Sequence, residues 1–135
     1  MTTYVADASA LLRYLDREPG FGRIAQLFKD AARGRCELVV SAVNWGEVIF
    51  VVYKAHGLTV ARSTSSRLRA LPFTIISVDA DHAEAAGLFK EDFKVPYADA
   101  FAGSLALRQG ATLITADFDF KLAAHAIRIE FLPTK

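Results

Sequence analysis

Apolar positions along this chain alternate between two spacings. Short continuous runs of strand length recur at Tyr4-Val5-Ala6, Leu38-Val39-Val40, residues 73–78, Thr112-Leu113-Ile114-Thr115 and residues 127–132. Between them, apolar residues fall three and four apart, the spacing that gives a helix one buried face. Ala10-Leu11-Leu12 and Tyr14-Leu15 predict a first helix, with Asp7 or Ser9 available as its cap. A second is predicted over 21–32, with Phe21, Ile24, Ala25, Leu27 and Phe28 on one side, and a third over 43–55 behind Ser41. A polar helix over 60–71 follows Gly57, and a helix of alternating Ala, Glu and Leu opens at Asp79 or Asp81. After Pro96 the spacing predicts a helix over 99–109 ended by Gly110, and Asp117-Phe118-Asp119-Phe120 opens a short one.

Strands alternating with helices require right-handed crossovers, and so predict a three-layer α/β/α sandwich around a mainly parallel sheet. Residues 1–135 carry no repeat or linker-like tract, and a single domain is expected. In open sheets of this kind ligands bind beyond the carboxyl ends of the strands, so that edge is where chemistry is sought.

Composition narrows the picture in three ways. With 53% hydrophobic and 23% charged residues, intrinsic disorder is excluded. The single cysteine, Cys36, rules out an intrachain disulfide or a cysteine-rich zinc site and suits a reducing cytoplasm. No apolar run approaches the roughly 20 residues of a membrane span, and Met1-Thr2-Thr3-Tyr4 lacks the basic start of a signal peptide, so a soluble cytoplasmic protein is expected. A formal charge of +1 points to neither nucleic acid nor membrane, and any such partner must be argued from local charge.

The informative charges are acids in apolar company. Asp16, Glu18, Asp30, Glu37, Glu84, Glu91, Asp92 and Glu130 stand beside charged or turn residues and read as solvated. Asp79 and Asp81 read as helix caps. Asp7, Glu47, Asp99 and Asp117 differ, because apolar residues flank each of them and no Lys or Arg lies within four residues of Glu47 or Asp99. One at a time, they read as three caps and a hydrogen-bonded core acid. Taken together, Asp7 and Asp117 end strands, Asp99 starts a helix and Glu47 lies early in another, which brings all four to one sheet edge. Carboxylates converging there raise one another's proton affinity unless a cation neutralises them. An oxygen-only set without His or Cys selects a hard cation, Mg²⁺ or Mn²⁺. Phosphodiester hydrolysis is the chemistry such a centre suits.

Four segments in order carry a resemblance: Val5-Ala6-Asp7-Ala8-Ser9-Ala10-Leu11, Ser41-Ala42-Val43-Asn44-Trp45-Gly46-Glu47-Val48, Tyr97-Ala98-Asp99-Ala100-Phe101-Ala102-Gly103-Ser104-Leu105-Ala106 and Leu113-Ile114-Thr115-Ala116-Asp117-Phe118-Asp119-Phe120. By them the chain resembles the PIN-domain ribonucleases of the VapC toxin type over essentially its whole length. The resemblance implies that Asp7, Glu47, Asp99 and Asp117 hold Mg²⁺ or Mn²⁺. It further implies that Asp119 adds a ligand or hydrogen bond, and that Ser9 and Thr115 orient carboxylates or the attacking water. It also implies the toxin half of a toxin–antitoxin pair: a homodimeric endoribonuclease acting on transfer or ribosomal RNA, restrained by a VapB-like antitoxin in the acidic groove.

Arg13, Arg17, Lys54, Arg62, Arg67 and Arg69 are the candidate RNA contacts, set against a plain solvated helix face. Tyr14, Trp45 and Tyr53 suit base stacking or the core; His56, His82 and His125 show no ligand spacing and receive no role. The alternative function is a catalytically inactive PIN-like module that binds RNA or protein. A receiver or haloacid-dehalogenase fold fits poorly, since Asp7-Ala8-Ser9 stands where the latter needs Asp-x-Asp.

Overall fold

The computed structural model describes residues Met1–Lys135. Strands β1 (Thr2–Ala6), β2 (Cys36–Ser41), β3 (Thr74–Ile76), β4 (Thr112–Thr115) and β5 (Arg128–Phe131) form one sheet in the order β3-β2-β1-β4-β5. All four pairings are parallel, with Val5 opposite both Val39 and Leu113. The sheet is covered on both faces, which is why its central strands read as unbroken apolar runs rather than alternating ones.

Two cores result from the pleat. Ala6, Leu38, Val40 and Ile114 face one way, against α1 (Ala8–Leu15), α2 (Phe21–Ala32), α3 (Ala42–His56) and α4 (Leu58–Arg69). Their strand neighbours Val5, Val39 and Leu113 face the other way, against α5 (Ala80–Phe93), α6 (Tyr97–Gln109) and a short 3-10 helix, Phe118–Ala123. Successive residues of a strand thus enter opposite cores, and a one-residue slip in register would exchange them.

The chain builds outward from β1 to β2 and β3, then crosses to the other side of β1 to lay down β4 and β5. The order therefore reverses between β1 and β4, and in open α/β sheets ligands bind beyond the carboxyl ends of strands at such a switch point. Asp7 follows β1 directly, and Asp117 lies two residues past β4.

Several expectations are corrected. The third strand is three residues rather than six: it sits at the sheet edge and pairs only with Val39–Ser41 of β2, while Phe73 turns into an aromatic cluster with Phe28 and Trp45. The second apolar helix face is incomplete, since Phe21 is exposed. Apolar on nearly every side, α3 nonetheless buries only Asn44, Trp45, Val48 and Val52, leaving Phe50 64% and Tyr53 52% exposed. Glu130 is not merely solvated; both its oxygens accept from Arg23, at 2.6 and 2.9 Å. The helix before Gly110 starts at Tyr97, because Pro96 has an extended backbone suited to the cap position.

Gly103 lets α6 lie close to α5. A Cβ added there would run into the ring of buried Phe89. Gly103→Ala is expected to destabilise the fold by about 1–3 kcal/mol through overpacking, measured by urea unfolding; an unchanged midpoint would show that the ring moves freely.

Candidate functional site

The switch point between β1 and β4 is organised around Asp7. As the cap of α1, its Oδ1 accepts from the Ala10 amide at 2.9 Å and from Ser9 Oγ at 2.7 Å. Its Oδ2 accepts from Thr115 Oγ1 at 2.5 Å. Each hydroxyl gives its one proton to Asp7 and accepts a backbone N–H from the end of β4: Ser9 from Ala116 across the two strands, and Thr115 locally from Asp117, both at 2.9 Å. The ends of β1 and β4 are stitched together through one carboxylate. Asp7 is buried, and desolvation pushes its pKa up to about 6, against the lowering pull of the Thr115, Ser9 and Ala10 hydrogen bonds.

Thr115→Val keeps the shape but strands Asp7 Oδ2 and the Asp117 amide. A loss of about 1–3 kcal/mol is expected, with Asp7 titrating higher still; equal stability in urea would mean that water replaces the hydroxyl.

Asp117 caps the 3-10 helix, accepting from the Asp119 amide at 2.9 Å. Asp99 stands in the first turn of α6, half-buried. Its pKa is raised to about 7, chiefly by desolvation. Asp117 comes next, repelling the charged form and accepting a hydrogen bond from the protonated one, and the charges of Asp7 and Glu47 follow. Thr115 links Asp7 to the Asp117 amide, and Asn44 links Glu47 to the Ala98 carbonyl just before Asp99, so acids from four separate segments gather along one edge where Asp99 feels the other three. Glu47, half-buried on α3, accepts from Asn44 Nδ2 at 2.7 Å, and the same nitrogen donates to the Ala98 carbonyl at 3.0 Å.

No cation answers this charge. The two ion pairs of the chain, Arg23–Glu130 and Lys94–Glu91, lie elsewhere. No group of three Asp, Glu, His or Cys side chains is arranged to hold a metal ion by itself. The donors nonetheless suit Mg²⁺ or Mn²⁺ in kind, being oxygens only, mutually repelling and without a basic partner. Mg²⁺ keeps several of its waters and is commonly bound through one or two carboxylates, so a three-ligand cage is not required.

Among the remaining sequence candidates, Ser9 and Thr115 join the site, whereas the Asp119 side chain is exposed and makes no hydrogen bond in it. Arg13 is engaged elsewhere, its Nη1 donating to the Pro19 and Pro133 carbonyls. Trp45 is buried under Arg69, and Tyr14 packs edge-on against Phe28, so both serve the core; Tyr53, Lys54 and Arg62 are exposed. His82, given no role from sequence, is buried with Nε2 3.0 Å from Ser41 Oγ. Asn44, which carries no expected role, is fully buried and donates to Glu47. Its signal was an amide three residues before Glu47 in an apolar helix, a spacing that puts both on one face.

The chain matches the PIN domain family over residues 4–126. A search of curated proteins finds no match. Among solved structures it is similar to VapBC2 from Rickettsia felis bound to a promoter DNA fragment, with a TM-score of 0.76 and 16% identity over 98% of this chain and 100% of that one. DNA-bound VapBC from Salmonella typhimurium gives a TM-score of 0.74 at 14% identity, covering 97% and 98% of the two chains. VapC20 from Mycobacterium tuberculosis, described as a sarcin-ricin loop cleaving toxin, gives 0.63 at 15% identity, covering 96% and 99%. At such identities the likeness is one of fold.

Proposed function

The chain belongs to the PIN domain family, and from that premise we propose that residues 1–135 form one PIN domain acting as a Mg²⁺- or Mn²⁺-dependent endoribonuclease of the VapC toxin type. The observation that carries this reading is the hydrogen-bonded edge at the β1/β4 switch point, where Thr115 joins Asp7 to the Asp117 amide and Asn44 joins Glu47 to the turn before Asp99, without a basic partner. The four acids line none of the five surface cavities of about 210–510 Å³, and an open edge suits a polymer better than an enclosed small substrate.

Asp7, Glu47, Asp99 and Asp117 are the groups that would hold the ion. When bound, it supplies Lewis-acid polarisation of the phosphodiester and a nucleophilic water at neutral pH. The protein's own part is to keep the carboxylates in place. Ser9 and Thr115 spend their protons on Asp7 and so fix its plane. The Asp119 amide fixes Asp117 in the same way. The amino-terminal ends of α1 and α6 meet the same edge, where helix dipoles favour the anionic groups gathered there.

As a toxin, the chain would form a homodimer and be restrained by a VapB-like antitoxin covering the acidic edge. Support comes from the similar structures, two of which are VapBC assemblies bound to DNA. The lack of a ready three-ligand cluster favours a second reading, a PIN-like module that binds RNA or protein without cutting. The purified protein is expected to cleave RNA with Mn²⁺ or Mg²⁺ and to stop in EDTA. Cleavage that persists in EDTA would overturn the metal requirement, and metal-independent RNA binding without cleavage would establish the second reading.

A further inference from the structure

Asn44 is fully buried in the first turn of α3, yet only half of its amide is satisfied. The nitrogen donates to Glu47 Oε1 at 2.7 Å and to the Ala98 carbonyl at 3.0 Å. The oxygen, Oδ1, is buried with no partner. The Ala98 carbonyl can only accept a hydrogen bond, so the amide cannot be flipped: nitrogen must face it and oxygen must face away. A buried unpaired acceptor destabilises a fold, and an apolar residue of similar volume would fill the same space without it.

What the amide achieves is a link between two acids. Ala98 immediately precedes Asp99, and this is the one side-chain hydrogen bond between α3 and α6. Glu47 is half-exposed, joined to its helix by freely rotating bonds and repelled by the charged Asp99. Without a donor beside it, its lowest-energy course is to swing out to water, away from the other three carboxylates.

We propose that Asn44 is a positioning residue of the acidic site, holding the Glu47 carboxylate inward and tying it to the turn that presents Asp99. This rests on the metal-dependent reading above. It concerns a different side chain, which acts through Glu47 and the Ala98 carbonyl.

Calorimetric titration of the metal-free protein with Mn²⁺, together with melting temperatures, tests it. Asn44→Ala and the volume-preserving Asn44→Leu are expected to weaken Mn²⁺ binding by about tenfold or more, as loss of a ligand's supporting hydrogen bond typically does. In an E47Q background the same changes are expected to weaken it less than about twofold, because the group they act through is already altered. Where E47Q alone leaves no measurable binding, the loss in the Glu47 background decides by itself. Mn²⁺ affinity within twofold of wild type alongside a lowered melting temperature would reduce Asn44 to a structural bridge, and equal losses with and without Glu47 would overturn its action through that residue. Wild-type protein that takes up no Mn²⁺ would overturn the proposal outright. The two readings separate cleanly. Coupled Mn²⁺ binding without RNA cleavage would leave Asn44's role standing and end the nuclease reading, whereas cleavage with uncoupled losses would do the reverse.

Discussion

Asp99→Asn is expected to reduce Mn²⁺-dependent RNA cleavage by at least about a hundredfold, beyond the roughly 10- to 100-fold that loss of a supporting partner costs. Asparagine keeps the shape of the side chain but removes the charge that a hard cation requires. Asp99 is also the carboxyl that feels Asp117, Asp7 and Glu47 together, so its loss disturbs the whole site rather than one corner. Asp7→Asn and Glu47→Gln are expected to fall with it. Initial rates on one RNA, at equal protein and saturating Mn²⁺, make the comparison. Unchanged turnover in any of the three would remove that residue from the acidic set.

The same substitution should make the metal-free protein more stable. The pKa of Asp99 in the folded state, raised to about 7 from 3.8, means that the folded protein keeps a proton which the unfolded chain releases between those values. Its contribution to stability is whole below about pH 4 and lost as pH rises through 7; Asp7, raised to about 6, acts in the same direction. His82 acts in the opposite direction. Burial lowers its pKa, so what it contributes is present above 6.5 and lost as pH falls. A pH scan of wild type alone mixes these effects, but comparison with Asp99→Asn cancels His82. In chelator at pH 8 the variant is expected to gain about 1–2 kcal/mol, a figure discounted for solvent screening on the exposed side of Asp99. That corresponds to roughly 5 °C in melting temperature, with the gap closing toward pH 4. Saturating Mg²⁺ should then raise the wild type by mass action and the variant less. A variant that melts at or below wild type at pH 8 in chelator would show that neither burial nor the neighbouring carboxylates penalise the charged Asp99.

These two effects have one origin. Acids held together, desolvated first and repelling one another second, cost stability and create affinity for a cation, the trade between stability and activity common at functional sites. The hydrogen bonds to Asp7 from Ser9, Thr115 and Ala10 resist that cost without removing it, since desolvation still raises its pKa to about 6.

Much of this was legible in the chain itself, and the reason is locality. Strand and helix order follow from spacing within a dozen residues, and the caps Asp7, Ser41 and Asp79 bond to amides two or three positions on. The four acids stood out because their immediate neighbours are apolar, which announces desolvation before any fold is known. Three features could not be read that way. Thr115 meets Asp7 across 108 positions, Asn44 meets Ala98 across 54, and Arg23 meets Glu130 across 107. The sequence by itself determined the α/β class, the order of the elements and which carboxylates lack partners nearby. Only the tertiary structure decided which hydroxyl and amide groups reach those carboxylates, and which side of α3 is left bare. Hydrogen bonds depend on distances of a few ångströms between segments, and these exist only once the sheet reverses its order between β1 and β4.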